Sequence, residues 1–122
     1  MNKTIVEILE HESPASFTSM GPDGPHMAAT WNSYIQVLGD SDIVIPAGDL
    51  KKTEENIKAG SKLHMILASK DVKGSHGSGA GFLLKGSAYF RETGTEFERI
   101  KSRFPWVRAI MIFHIEEEKQ LI

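Results

Sequence analysis

The run Thr30-Trp31-Asn32-Ser33-Tyr34 sets three hydrogen-bonding side chains among two large aromatic ones, and a Lys52-Thr53 pair follows the next apolar segment. A strand meant only for burial does not carry Thr, Asn and Ser in this company, because each buried polar group needs a partner. A flat aromatic ligand with hydrogen-bonding edges and a phosphate would supply those partners, with Lys52 and Thr53 as phosphate contacts. On residue type alone Trp31, Tyr34 and Trp106 read as core or interface aromatics. What favours a site is the polar company of the first two and a cationic helix start one hairpin away. On the residues alone, the ligand is a phosphorylated planar molecule of open identity.

Other chemistries lack their residues. Gly77-x-Gly79-x-Gly81 misses the dinucleotide spacing and precedes a strand rather than a helix. Lys52-Thr53 resembles the end of a phosphate-binding P-loop, but Lys51 stands where that loop needs glycine. Only Glu7 and His11 have helical metal-ligand spacing, which a solvated helix face explains better, so no metal site is expected. His64 and His114 fall in strands as structural residues. No nucleophile elbow or Ser-x-x-Lys pair is present, so no catalytic residue is assigned.

The 122 residues, 40% apolar and 25% charged, suit one globular domain spanning 1–122. A chain this short would give much of itself to a deep pocket, which favours a site at a dimer seam. A net charge of −2 with scattered basic residues argues against nucleic acid. The absence of cysteine removes disulfides and thiolate chemistry and fits a reducing compartment. No apolar run approaches a membrane span, and Glu7, Glu10 and Glu12 interrupt any secretory signal, so a cytoplasmic location is expected.

The elements that must position these residues follow from pattern and punctuation. Ile5, Ile8 and Leu9 predict a short helix within 4–12, and Ala15 to Met20 a strand. Gly21-Pro22-Asp23-Gly24-Pro25 turns it into a second strand, His26 to Trp31. The chain is expected to stay extended over Ser33 to Leu38 and then turn into Ile43-Val44-Ile45, a β-branched strand buried on both faces and ended by Pro46. Asp49 is placed to cap a helix from Leu50 to Ala59, with Gly60 past its end. Lys62 to Ser69 reads as a central strand, Asp71 to Gly81 as a flexible glycine-rich loop, and Phe82 to Arg91 as a half-exposed strand. Thr95 and Glu98 form a capping box for a helix carrying Phe97, Ile100 and Phe104, and Trp106 to Ile115 is the last strand, with Val107 and Met111 on one face. Short helices between about six strands give a mainly antiparallel β-barrel with helical insertions.

The ordered set Asp23-Gly24-Pro25-His26, Thr30-Trp31-Asn32-Ser33-Tyr34, Ile45-Pro46, Lys52-Thr53-Glu54, Gly79-x-Gly81-Phe82-Leu83 and Gly86-Ser87-Ala88 resembles the small FMN-binding proteins of sulfate-reducing bacteria. These belong to the pyridoxamine 5'-phosphate oxidase-like split-barrel family. The likeness spans nearly the whole chain, Trp106 and an apolar last residue included. It implies a mainly β fold, a six-stranded antiparallel split β-barrel with about three short helices, usually a homodimer with one FMN per subunit near the interface. By position, Thr30, Lys52 and Thr53 would bind the phosphate, and Asn32 and Ser33 would line the ribityl and ring region. Trp31, Tyr34 and Trp106 would flank the isoalloxazine, Pro46 and Ala47 would run past it, and Ile122 would cover the ring from the partner subunit. This chain departs from the pattern in having Ile122 for a leucine, an extra residue with Pro105 before Trp106, and a different N-terminal strand.

The function so implied is electron transfer by an FMN flavoprotein, with a redox partner protein or a soluble electron donor, the latter in the manner of a flavin reductase. Two alternatives stand beside it. One is a small-molecule oxidoreductase of the pyridoxamine 5'-phosphate oxidase type; the other is a non-flavin split-barrel dimer, haem-handling or structural.

Overall fold

The computed structural model describes residues 1–122. Its strands are β1 (Pro14–Gly21), β2 (Gly24–Trp31), β3 (Gln36–Leu38), β4 (Asp42–Ala47), β5 (Leu63–Gly74), β6 (Gly77–Arg91) and β7 (Ala109–Gln120). The helices are α1 (Lys3–Leu9), α2 (Lys51–Lys58) and α3 (Thr95–Arg103), and a 3-10 turn spans Asn32–Tyr34. All strand pairs are antiparallel, in one sheet ordered β2-β1-β5-β6-β7-β4-β3. The mainly β class with three short helices is as expected, but the strands number seven, not six. β3 is the end of the segment expected to be extended over Ser33 to Leu38, and it pairs only with Asp42–Val44. No helix is long and apolar enough to cross a membrane.

Punctuation residues made the hairpins. Gly21 pairs with Gly24 across Pro22-Asp23, and Gly24 takes φ +106°, a conformation that costs glycine nothing in side-chain clashes. β5 lies between β1 and β6, the central position its double apolar alternation implied. The glycine-rich segment corrects the sequence reading. Instead of a flexible loop over Asp71 to Gly81, β5 and β6 run on past it and close in a hairpin at Gly74 and Gly77, with an irregularity between Ser69 and Lys73. Glycine is required there because a Cβ on Gly74 would meet the Gly79 carbonyl oxygen at 2.0 Å.

β4 is buried on both faces, as its Ile-Val-Ile run required. Ile43 and Ile45 join the main core with Phe17, Phe82, Phe113, Ile5 and Ile8. Val44 faces a second core under α3, formed by Phe97, Ile100, Phe104, Val107, Ile110 and Ile112. Pro46 does not end the strand: β4 continues to Ala47, paired with β7. It can do so because the pairing of β4 with β3 ends at Val44, leaving that edge free where a proline lacks its N–H. The last strand starts at Ala109 rather than Trp106, so Val107 falls outside its alternation and packs in the second core, away from Met111.

Both helix starts also differ from expectation. α2 begins after Leu50, which is left-handed at φ 58°, and no side chain caps it, so Asp49 is not its cap. α3 begins after Gly94 at φ 108° without a side-chain cap, and the Thr95 box is not formed. Gly60, at φ +106°, does sit just past the end of α2.

β6 and β7 shift register between Lys85 and Gly86, and a Cβ on Gly86 would lie 1.9 Å from the His114 carbonyl oxygen and 3.0 Å from the Phe113 ring. Backbone cannot yield as a flexible side chain does. Gly86→Ala is therefore expected to destabilise the fold by about 1–3 kcal/mol in urea unfolding, the range for overpacking a tight core. An unchanged midpoint would show that the bulge relaxes freely.

Candidate functional site

β2 ends at Trp31, and the fully buried Asn32 carboxamide stops the chain from continuing as a strand. Its Nδ2 donates to the carbonyl oxygens of Ile8 (3.3 Å), His11 (3.0 Å) and Ala68 (3.2 Å). The backbone there curls into the 3-10 turn, so Asn32 points inward while Trp31 and Tyr34 are left to the outside. Of the segment expected to be extended over Ser33 to Leu38, Ser33 and Tyr34 belong instead to this turn, while Ile35 and β3 are extended.

Tyr34 joins Phe104 and Trp106 in a mutually tilted cluster with centroids 5.0–5.7 Å apart. Gly48 lets the Trp106 indole lie against the chain leaving β4, since a Cβ there would come within 3.0 Å of the ring. Trp31, Tyr34 and Trp106 open onto one cavity of about 400 Å³, together with Pro14, Ala29, Thr30, Pro46, Gly48, Asp49 and Leu50. That volume is within the roughly 300–1,000 Å³ of small-molecule sites. Trp31 and Trp106 remain 48% and 50% exposed, much apolar surface for two indoles beside a cavity.

The other sequence-derived residues do not line this cavity. Ala47 is wholly buried behind Pro46. Lys52 is exposed and 3.8 Å from Glu55. Thr53 is 0% exposed, and its Oγ1 has no hydrogen-bond partner. The first bond of α2 runs from the Glu54 N–H to the Leu50 carbonyl (2.9 Å), so the amides of residues 51–53 precede it and are the donors a helix start offers to an anion. Asn32 Oδ1 is likewise buried without a partner. Ile122 lies within its own chain against Gly81, whose N–H donates to the Ile122 carbonyl at 3.2 Å, and it borders a separate cleft with Ser13 and Ala68.

Sequence reasoning missed the corner Gly48-Asp49-Leu50, Phe104 and Arg108. Gly48-Asp49 carried a readable turn signal; a leucine in left-handed conformation carries none. Arg108 reaches this corner from the residue just before β7, donating from Nε to the Asp49 carbonyl (2.9 Å) and pairing through Nη1 with Glu54 (2.9 Å).

No protein-family model matches the sequence. The chain is 42% identical over 119 residues to the FMN-binding protein of Nitratidesulfovibrio vulgaris (strain DSM 19637 / Miyazaki F), the alignment covering 98% of this chain and 97% of that protein. Its fold is similar to that of HupZ from Group A Streptococcus (TM-score 0.80, 15% identity, 99% of this chain and 94% of that one). A candidate pyridoxamine 5'-phosphate oxidase from Lactobacillus delbrueckii gives TM-score 0.76 at 19% identity, covering 98% and 93%. An FMN-binding protein from Syntrophomonas wolfei gives 0.71 at 18%, covering 88% and 76%. The fold is thus of the class seen in the pyridoxamine 5'-phosphate oxidase-like neighbours, mainly β with three helices, and it carries an aromatic-walled cavity. Within that class, near-full-length identity settles the narrower question: the chain belongs to the FMN-binding protein family.

Ser33 secures the turn from its other side. Its hydroxyl donates to Glu12 Oε2 at 2.6 Å and its N–H to Oε1 at 3.2 Å. The hydroxyl contact first, and the amide contacts after it, favour the ionised carboxylate and hold Glu12 below its ordinary value of 4.5. A lowered folded-state pKa means that this contribution to stability is present above 4.5 and is lost as pH falls through the lower folded value. An NMR titration should place the Glu12 midpoint below 4.5, and Glu12→Gln should flatten the acid limb of the stability curve. A Glu12 midpoint at 4.5 or above would remove this tie from the description of the turn.

Proposed function

We propose that this protein holds FMN in the cavity beside Trp31, Tyr34 and Trp106 and acts as an electron-transfer flavoprotein. The observation that carries the reading is the pair of half-exposed indoles opening onto a cavity sized for a flat ligand, next to an uncapped helix start. The residues fit the cofactor. Aromatic walls suit a tricyclic ring, and the buried, unpartnered Thr53 hydroxyl with the leading amides of α2 suits a phosphate. Thr30, Lys52 and Thr53 would hold the phosphate, with Lys52 supplying charge. Pro46 and Ala47 fix the strand behind the ring, and Asn32 and Ser33 act through the turn they stabilise.

Bound FMN supplies the redox chemistry, in one- or two-electron steps. The chain's own part is to orient the ring, exclude water from its faces and balance its charge. Trp31, Tyr34 and Trp106 give an apolar surround that disfavours added negative charge, and Lys52 with the α2 amides offsets it. The ionisable side chains in the lining are Tyr34 and Asp49, so no cationic group there is placed to grip an anionic substrate. This favours a carrier, working with a redox protein or a soluble donor, over a substrate-specific oxidase.

We further propose a homodimer. Met27 is 70% exposed, and Met20, Ile66, Leu121 and Ile122 add outward apolar surface that a second copy would cover. In that assembly Ile122 of one subunit would close the cavity of the other.

Protein purified without added flavin should be yellow, with two bands at the blue end of the visible spectrum and FMN in the denatured extract. A colourless product that takes up no FMN would end the proposal. Lys52→Ala should weaken FMN binding by roughly tenfold, the scale of a charged hydrogen bond. Light scattering after size exclusion should give twice the 13.5 kDa chain mass; a monomer at micromolar concentration would refute the dimer.

A further inference from the structure

Leu50 is the one non-glycine residue of the chain with positive φ, at 58°, and it stands where β4 must turn into α2. A side chain with a Cβ is disfavoured in that region and stays there only where its surroundings over-determine it. Gly48 relieves crowding on one side, but neither Gly48 nor Asp49 forces residue 50 to be left-handed. The Leu50 side chain packs against the main core, and the side-chain polar contacts that flank it come from Arg108.

Arg108 contacts the corner on both sides of Leu50. Its backbone N–H donates to the Ala47 carbonyl at 2.9 Å, and Nε donates to the Asp49 carbonyl at 2.9 Å. Beyond Leu50, Nη1 pairs with Glu54 Oε1 at 2.9 Å, and Lys58 holds the other oxygen of that carboxylate at 3.2 Å. The Arg108 and Glu54 side chains are 24% and 12% exposed, so water screens this pair far less than the other ion pairs on α2. The guanidinium reaches Asp49 and Glu54 through two donors fixed in one plane, an arrangement that the point charge of an ammonium does not preset. The guanidinium carbon lies 6.0 Å from the centre of the Phe90 ring, and Nη2 is buried without a partner. Arg108 does not line the cavity.

We propose that Arg108 is a positioning residue for the phosphate end of the site. It holds Leu50 left-handed and thereby directs the leading amides of α2 and Thr53, without touching the ligand. The proposal rests on the FMN reading above and extends it, since it predicts which part of the cofactor Arg108 serves. Riboflavin, which has the same ring and no phosphate, is the control.

Calorimetric titration of apoprotein with FMN and with riboflavin tests it. Arg108→Gln should lower FMN affinity by roughly tenfold or more and change riboflavin affinity by less than about threefold. Glycine adopts the left-handed region without strain, so adding Leu50→Gly should make the Arg108 substitution matter less. The fold-loss in FMN affinity from R108Q should be smaller in the L50G background than in the wild-type one. If R108Q does not fold, R108K, which keeps stem and charge but not the fork, is measured in both backgrounds instead. Equal losses for FMN and riboflavin, or equal losses in the two backgrounds, would overturn the proposal, leaving Arg108 a general stabiliser. Wild-type protein that binds neither flavin would remove this proposal and the FMN reading together. FMN binding that K52A weakens and R108Q leaves intact would remove this one alone.

Discussion

The carboxamide of Asn32 has no solvent exposure, and its nitrogen donates to carbonyl oxygens from three separate stretches, Ile8, His11 and Ala68. Burying an amide is unfavourable unless its hydrogen bonds are replaced, so this group finds its partners only when α1, the link to β1 and β5 are all in place. The same contact breaks β2 after Trp31 and starts the 3-10 turn. A single buried polar side chain thus couples the packing of α1 on the sheet to the direction in which two aromatic rings leave the chain. The rest of the cavity is assembled around that turn.

The opposite rim is organised by small residues and an unusual backbone. Gly48 admits the Trp106 indole, Pro46 continues β4 where no neighbour needs its N–H, and Leu50 starts α2 without a cap. Local sequence preference would not choose this corner unaided. Departures of that kind gather where a site must be held in one shape, because optimum folding alone would have placed glycine or asparagine at position 50.

Much of this architecture was legible in the chain. The Pro22-Asp23 turn between glycines, the doubly buried Ile43-Val44-Ile45, the core face of α3 and the stop at Gly60 all follow from backbone allowances and periodicity, which act locally. The polar-aromatic run was also recognisable as something other than plain core, and three of its members, Thr30, Trp31 and Tyr34, meet Pro46 and Trp106 at one cavity. What could not be read depends on tertiary partners. Asn32 makes a turn only because carbonyls from elsewhere converge on it. The Asp71 to Gly81 stretch looked mobile because glycine permits mobility, whereas here it permits two backbones to approach closely. Asp49 had the right type and position for a cap, yet the left-handed residue after it redirected the helix start.

Both tryptophans of the chain, Trp31 and Trp106, border the same cavity. All indole emission of this protein therefore originates from the rim of that cavity and none from the core beneath the sheet. Because each ring is half solvated, its colour and lifetime follow the polarity of that one place. The molecule consequently carries an intrinsic optical gauge of that cavity, and the same signal is a poor witness to events in the Phe17-Phe82-Phe113 interior, where phenylalanine alone would have to report.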